Sequence, residues 1–258
     1  MREVEGSPVS ERLLTHYEGK YANAACPTQP IATTVAPRNR FEACLHYFPK
    51  YFRGGSILEL AAGDGRVARS LLATDLPCSE YTVSDVTETR LRAAKAGLND
   101  PRAWFVRLDA DDLSGEPEAR YDAIILIALI EHLIDPLGAL REIRRLLRPG
   151  GIVYVDTPNI AKYTRRLRLL AGRFPSTATR AEGLLTFAGE PVDLFEEGHL
   201  HYFTYRNLGG LLTQRCGFAR VEKLSYYEGP SVISRRCEAA LARFWPELFS
   251  ELCLVAHV

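Results

Sequence analysis

The residues able to do chemistry in this sequence lie in three places. The stretch ILELAAGDGRVARSLLAT, residues 57–74, carries Glu59 in an apolar run, then Ala61, Gly63, Asp64 and Gly65, then a helical pattern. Glycines in a strand-to-helix turn let the backbone approach a ligand closely. Asp85, with Val86 beside it, lies 20 residues beyond Gly65, and Asp109 and Ala110 follow the next apolar run. A carboxylate at the end of the second strand suits ribose hydroxyls. The third place is a set of histidines: His132 in EHL, and His199 and His201 in EEGHLHYFT. An imidazole beside a bound acceptor takes up its proton. The two-residue spacing puts the His199 and His201 rings on one side of an extended segment.

Which ligand the turn serves is narrowed by its neighbours. A phosphate-binding P-loop needs G-x-x-x-x-G-K-[ST], but Arg66 and Val67 follow Gly65. Gly63, Gly65 and Ala68 match the dinucleotide fingerprint G-x-G-x-x-[GA], with Asp85 at a fitting distance. The turn alone does not decide. Close backbone approach and a ribose-binding carboxylate serve a nicotinamide dinucleotide and other adenosine-bearing ligands alike.

These residues need a scaffold that gathers strand ends. SILEL, EYTVSD, AWFVRLD, YDAIILIAL, IVYVDT, ARVEKLSYY and ELCLVAHV read as seven strands. The wholly apolar fourth reads as a central parallel strand. GRVARSLLAT, TETRLRAAKAGL and LGALREIRRLL are helical patterns between them, the last opened by Asp135-Pro136 and closed by Pro149-Gly150-Gly151. The alternation predicts an α/β fold with a doubly wound, mostly parallel seven-stranded sheet. Residues 1–53 are expected as an N-terminal helical cap and 54–258 as the main domain. A helical lid over 160–203 and a helical insertion over 229–250 interrupt it. Thr204 is placed to cap the helix YRNLGGLLTQRC.

Composition removes several function classes. The 258 residues carry 32 basic and 32 acidic side chains, so no net field attracts nucleic acid or anionic lipid. No apolar run reaches the ~20 residues of a membrane span, and the charged start MREVEGSPVSER is unlike a signal peptide. The six cysteines are scattered without a C-x-x-C pair, which predicts reduced thiols in a cytoplasmic protein.

Four features together resemble the class I S-adenosylmethionine-dependent methyltransferases, small-molecule branch. They are E-x-A-x-G-x-G over residues 59–65, Asp109-Ala110 after the third strand, IEHLIDP after the fourth, and LLRPGGIVYVDTPN through the fifth. Ala61 departs from the family's usual first glycine. The resemblance implies a Rossmann-like methyltransferase fold and S-adenosylmethionine as cofactor. It places the turn of Gly63, Asp64 and Gly65 at the methionine portion, Asp85 at both ribose hydroxyls, Asp109 and Ala110 at the adenine, and Ile127 and Ala128 at the end of strand four. Tyr17 and Tyr21, four apart in HYEGKYA, share a helical face, and Tyr21 is expected beside the cofactor. HLHYFT resembles the family's H-x-x-F-T segment, which makes His199, His201 and His132 candidate bases. A metal site on His199 and His201, with Asp193, Glu196 or Glu197, is not expected. Lys162, Arg165, Arg166, Arg168 and Arg173 make the lid basic, either as a solvated face or as a seat for an anionic acceptor.

The expected function is methyl transfer to a small molecule, a hydroxyl of a sugar, glycolipid precursor or secondary metabolite. The alternatives are a nicotinamide-dependent oxidoreductase and a non-catalytic S-adenosylmethionine-binding subunit. Nucleic-acid methylation lacks its polar-Pro-Pro-aromatic tetrad. Completing the pocket and forming a homodimer contact are both open roles for residues 231–249.

Overall fold

In the computed structural model, residues 14–15, 17–19, 31, 36–173, 175, 177, 199–228 and 234–258 are described. The strands are β1 (Gly55–Leu60), β2 (Cys78–Asp85), β3 (Ala103–Arg107), β4 (Tyr121–Ile127), β5 (Leu147–Thr157), β6 (Arg220–Leu224) and β7 (Leu252–His257). They form one sheet in the order β3-β2-β1-β4-β5-β7-β6. β7 runs antiparallel to both β5 and β6, and the pairs among β1 to β5 are parallel.

The central strands are apolar on both sides because both sides are covered. Leu58, Leu60, Ile124, Leu126, Val153 and Val155 pack into one core. Their neighbours Ile57, Ala123, Ile125, Ile152 and Tyr154 pack into the other. Successive side chains leave a strand on opposite faces, so an unbroken apolar run is what a doubly covered sheet requires.

The helices are α1 (Arg40–Tyr51), α2 (Arg66–Leu72), α3 (Glu88–Gly97), α4 (Pro136–Leu146), α5 (Tyr163–Leu170), α6 (Tyr205–Gly210), α7 (Arg235–Phe244) and α8 (Pro246–Phe249). α1 is capped by Asn39, whose side chain accepts from the Glu42 N–H. It puts Ala43, Cys44, Leu45 and Phe48 into the second core. The helix thus packs on the same core as the strands that follow residue 53. Asp135 caps α4, accepting from the Gly138 N–H at 2.9 Å.

Two expected helices are shorter than their patterns. YRNLGGLLTQRC starts at the Thr204 cap, in a capping box with Asn207, but passes into a π-helical turn at Leu211–Arg215. Gly209 and Gly210 remove the side chains that would hold the α register. The pattern over residues 231–249 breaks at Trp245 (φ −140°, ψ 70°), because Pro246 bars the preceding residue from the helical region.

The segment leaving β5 is anchored rather than loose. Lys162 is buried, and its ammonium donates to Glu251 Oε1 at 2.9 Å and to the Glu228 carbonyl at 2.5 Å. Arg165 Nη1 donates to Glu251 Oε2 at 2.7 Å, as does the Asn159 N–H at 3.0 Å. Two of the five cations expected on a basic lid are thus consumed inside the fold, while Arg166, Arg168 and Arg173 are exposed. Tyr163 donates to Glu238 and its ring lies 5.3 Å from that of Phe249, which ties α5 to α7 and α8. Among the described residues, no helix is long and apolar enough to cross a membrane. Cys44, Cys78, Cys216, Cys237 and Cys253 are free thiols.

Candidate active site

The strand order reverses between β1 and β4, and a ligand crevice belongs outside the carboxyl ends of the strands at such a point. A cleft of about 500 Å³ opens there. Ala61, Gly63 and Asp64 wall it from the β1 turn, and Asp85 and Val86 from the end of β2. Asp109 and Ala110 join from beyond β3, and Ile127, Ala128 and His132 from beyond β4. Residues distant in sequence meet because parallel strands all end on one edge. Glu59, Gly65, His199 and His201 are not in the cleft wall, and Tyr21 lies outside the described residues.

The turn is held by its own backbone. Ala61, Gly63 and Gly65 take left-handed φ values of 52°, 60° and 69°. Gly63 N–H donates to Asp85 Oδ2 at 3.0 Å, and the Ala62 N–H to the Ser84 carbonyl at 2.7 Å. Asp85 Oδ1 accepts from the Thr87 N–H (2.9 Å) and hydroxyl (2.8 Å). A carboxylate offers about four acceptor sites. Three are used within the turn, and Oδ2, which holds one of them, keeps a site open. A Cβ on Gly65 would stand 3.0 Å from Ala94 Cβ. The absence of a side chain at Gly65 therefore lets the turn sit close against α3.

The acidic side chains differ in role. Glu59 is 3% exposed and sits beneath the turn, accepting from the Tyr81 hydroxyl at 2.8 Å. Burial pushes its carboxyl up to about 8 despite the Tyr81 hydrogen bond, and Asp64 and Asp85 add to the rise. It is a neutral strut for the turn at pH 7. Burial opposes ionisation of Asp64, but Arg66, bonded to it through Nε and Nη2, outweighs that and lowers its pKa. Burial raises the Asp109 carboxyl, and the Asp111 N–H, which donates to its Oδ1 at 3.0 Å, only partly offsets the rise. Asp111 in turn accepts from the Ile134 N–H at 2.9 Å. That bond clips the β3 and β4 loops together across the cleft.

A 3-10 turn, Ile130–His132, follows β4. It sends His132 into the cleft wall and Glu131 inward, where Glu131 is 1% exposed. Glu131 Oε2 accepts from the Thr157 hydroxyl at 2.8 Å, and its carbonyl accepts from the Leu200 and His201 N–H groups at 2.8 and 3.1 Å. The loop is thereby pinned so that the His199 ring meets the His132 ring edge-on, 4.8 Å between centroids. His201 turns away and lies 6.3 Å from the Phe203 ring. The residues from His199 to Tyr202 belong to no strand.

Motif reading missed several cleft residues. Arg40 and Phe41 come from α1, Thr87 and Arg90 from the start of α3, and Leu133 and Ile134 from the loop after His132. Arg66 lies over the Phe41 ring at 5.0 Å. Thr87, two residues after the strand-end acid, had a readable signal as a helix cap. Arg40 and Phe41 had none, because only the seating of α1 on the second core brings them to the turn.

Comparison with known proteins agrees with this geometry. A family profile described as "Methyltransferase domain" matches residues 37–223. A ubiquinone biosynthesis O-methyltransferase of Cereibacter sphaeroides is 29% identical over 113 residues, 43% of this chain and 44% of the relative. The biotin biosynthesis bifunctional protein BioCD of Bordetella avium is 35% identical over 163 residues, 60% of this chain and 34% of the relative. The chain thus spans less than half the length of these curated relatives. Among solved structures, a phosphoethanolamine N-methyltransferase 2 of Haemonchus contortus in complex with S-adenosylmethionine shares the fold at a TM-score of 0.57 and 16% identity, covering 88% of this chain and 54% of that one. A methyltransferase dependent on the same cofactor, from Archaeoglobus fulgidus, does so at 0.55 and 14%, covering 84% and 92%. With the profile spanning most of the chain and the sheet order matching the fold, the chain belongs to the class I S-adenosylmethionine-dependent methyltransferases.

Proposed function

We propose that the chain transfers a methyl group from S-adenosylmethionine to an oxygen of a small molecule, a hydroxyl of a sugar, glycolipid precursor or secondary metabolite. The observation that carries this is the cleft at the β1–β4 reversal, with the glycine turn and two acidic positions on one side and His132 on the other. The wall suits the cofactor. The open site on Asp85 Oδ2 would take a ribose hydroxyl, Asp109 and Ala110 would face the adenine, and the turn at Gly63 and Asp64 would hold the methionine end. Leu108, Leu133 and Ile134 add apolar wall for a ring. When bound, S-adenosylmethionine supplies a methyl group on a positively charged sulfur. The chain's own task is to hold the acceptor in line, which can supply much of the rate, and to accept its proton. Of the three histidines expected for that role, His132 is the one in the cleft wall, with His199 behind it. An oxygen acceptor is supported by the O-methyltransferase activity for which the ubiquinone-pathway relative is named.

The test combines binding and transfer. S-adenosylhomocysteine should raise the melting temperature, since a ligand of the folded state stabilises it, and NAD should not. Transfer of labelled methyl to a panel of hydroxylated acceptors should then fall ~10²–10⁴-fold in His132→Gln, with unchanged S-adenosylhomocysteine affinity. A shift with NAD alone would overturn the proposal, and binding without transfer to any acceptor would point to the non-catalytic alternative.

A further inference from the structure

We infer that Glu131, His132 and His199 form a binding site for a divalent first-row transition-metal cation beside the cleft, which it meets at His132. One carboxylate oxygen and one ring nitrogen from each histidine all lie within 4.8 Å of one another. Two imidazoles and a carboxylate are the donor set of catalytic zinc and of other divalent transition metals that keep open positions. Ligand atoms about 2.1 Å from a shared ion stand about 3–4 Å apart, so the three groups need close by only about 1 Å. Side-chain rotation supplies that much.

Three further observations point to an ion. Glu131 is 1% exposed, and its Oε1 has no hydrogen-bond partner among the described residues. A buried carboxylate oxygen without a partner is costly, and a cation would satisfy it. The other oxygen is oriented by the Thr157 hydroxyl. His199 Nδ1 lies 2.7 Å from the Thr177 hydroxyl, a contact of the kind that orients a ligating imidazole. Finally, the backbone of residues 200 and 201 hangs on the Glu131 carbonyl, so the ligand from the distant loop is brought to the other two by the same residue that supplies the carboxylate.

The site stands on these contacts alone, whereas its use rests on the methyl-transfer reading. A cation held at His132 has open positions toward the cleft and would bind and acidify an acceptor hydroxyl. With the ion in place His132 would act as a ligand and the hydroxyl proton would leave to solvent, so the imidazole base proposed above applies to the metal-free protein.

The experiment uses the full chain, stripped with a chelator, desalted and titrated with Co²⁺ as a visible-absorption probe and with Zn²⁺ by calorimetry. One ion per chain is expected, with the ligand-field absorption of a low-coordinate cobalt site. Glu131→Gln and His199→Asn should each weaken uptake about tenfold or more, while His46→Asn, at a histidine of α1 outside the set, should leave it unchanged. S-adenosylhomocysteine binding, measured on the same samples, should be retained in all variants. No cobalt uptake by the wild type, or uptake that survives both substitutions, overturns the site. The wild-type titration decides the matter even if a variant does not fold. Failure of S-adenosylhomocysteine to bind would instead count against the methyl-transfer reading and leave the cobalt result standing.

Discussion

Glu251→Gln tests the ion cluster that anchors the segment leaving β5. Glu251 is buried, and burial alone would raise its carboxyl, but Arg165 and Lys162 reverse that and bring it to about 2 from 4.5. Holding the carboxyl at about 2 rather than 4.5 corresponds to about 3 kcal/mol of stability. Because the folded value lies below the unfolded one, this contribution is complete above about pH 4.5 and is lost as pH falls through about 2. At pH 3 it has shrunk to about 1 kcal/mol. The substitution removes the anion while Lys162 and Arg165 stay 3% and 14% exposed. Breaking a buried pair in this way costs about 3–5 kcal/mol, in line with the linkage figure. Urea unfolding of wild type and variant at pH 7, 5, 4 and 3 should show a gap of about 3–4 kcal/mol that narrows only below pH 5. A gap under about 1 kcal/mol at pH 7, or one that is the same at pH 3, would refute the reasoning. The variant should also lose order at His199, since Asn159, held by Glu251, bridges to Phe203 beside that loop.

Other residues offer separate tests. Glu59→Gln should flatten the pH dependence of stability between about 4.5 and 8, where the folded carboxyl keeps a proton that the unfolded chain releases; wild-type stability should fall across that window as pH rises, and parallel curves for the two proteins would contradict the assignment. Asp85→Ala removes a carboxylate held by three donors and should weaken S-adenosylhomocysteine binding by about 1.5–3 kcal/mol in calorimetry; unchanged affinity would take Asp85 out of the site. Gly65→Ala meets both a left-handed φ of 69° and Ala94 at 3.0 Å, so thermal melts should show a loss of at least about 1–2 kcal/mol. Ala61→Gly relieves a left-handed φ of 52° and should gain up to about 1 kcal/mol, the backbone relief less the entropy of glycine.

The sheet and the gathering of the glycine turn, Asp85 and Asp109 around one cleft were legible in the sequence because their signals are local. An apolar run such as YDAIILI needs only its own side chains to declare a doubly covered strand. A glycine turn followed at fixed distance by Asp85 and Asp109 marks consecutive strand ends, and parallel strands bring such ends to one edge whatever else the chain does. What local pattern did not carry was decided by contacts between distant segments. Glu59 belongs to the turn motif, yet it is buried against Tyr81 and its carboxyl is pushed up to about 8. Lys162 and Arg165 read as a basic helix face until Glu251, 89 and 86 residues away, draws them inside. His199 and His201 are equivalent by spacing, but only the tie of their loop to the Glu131 carbonyl turns His199 toward His132 and leaves His201 beside Phe203. Tertiary structure made that choice because a side chain's charge, proton affinity and reach depend on which groups from other elements exclude water from it, and no period within a single segment encodes that.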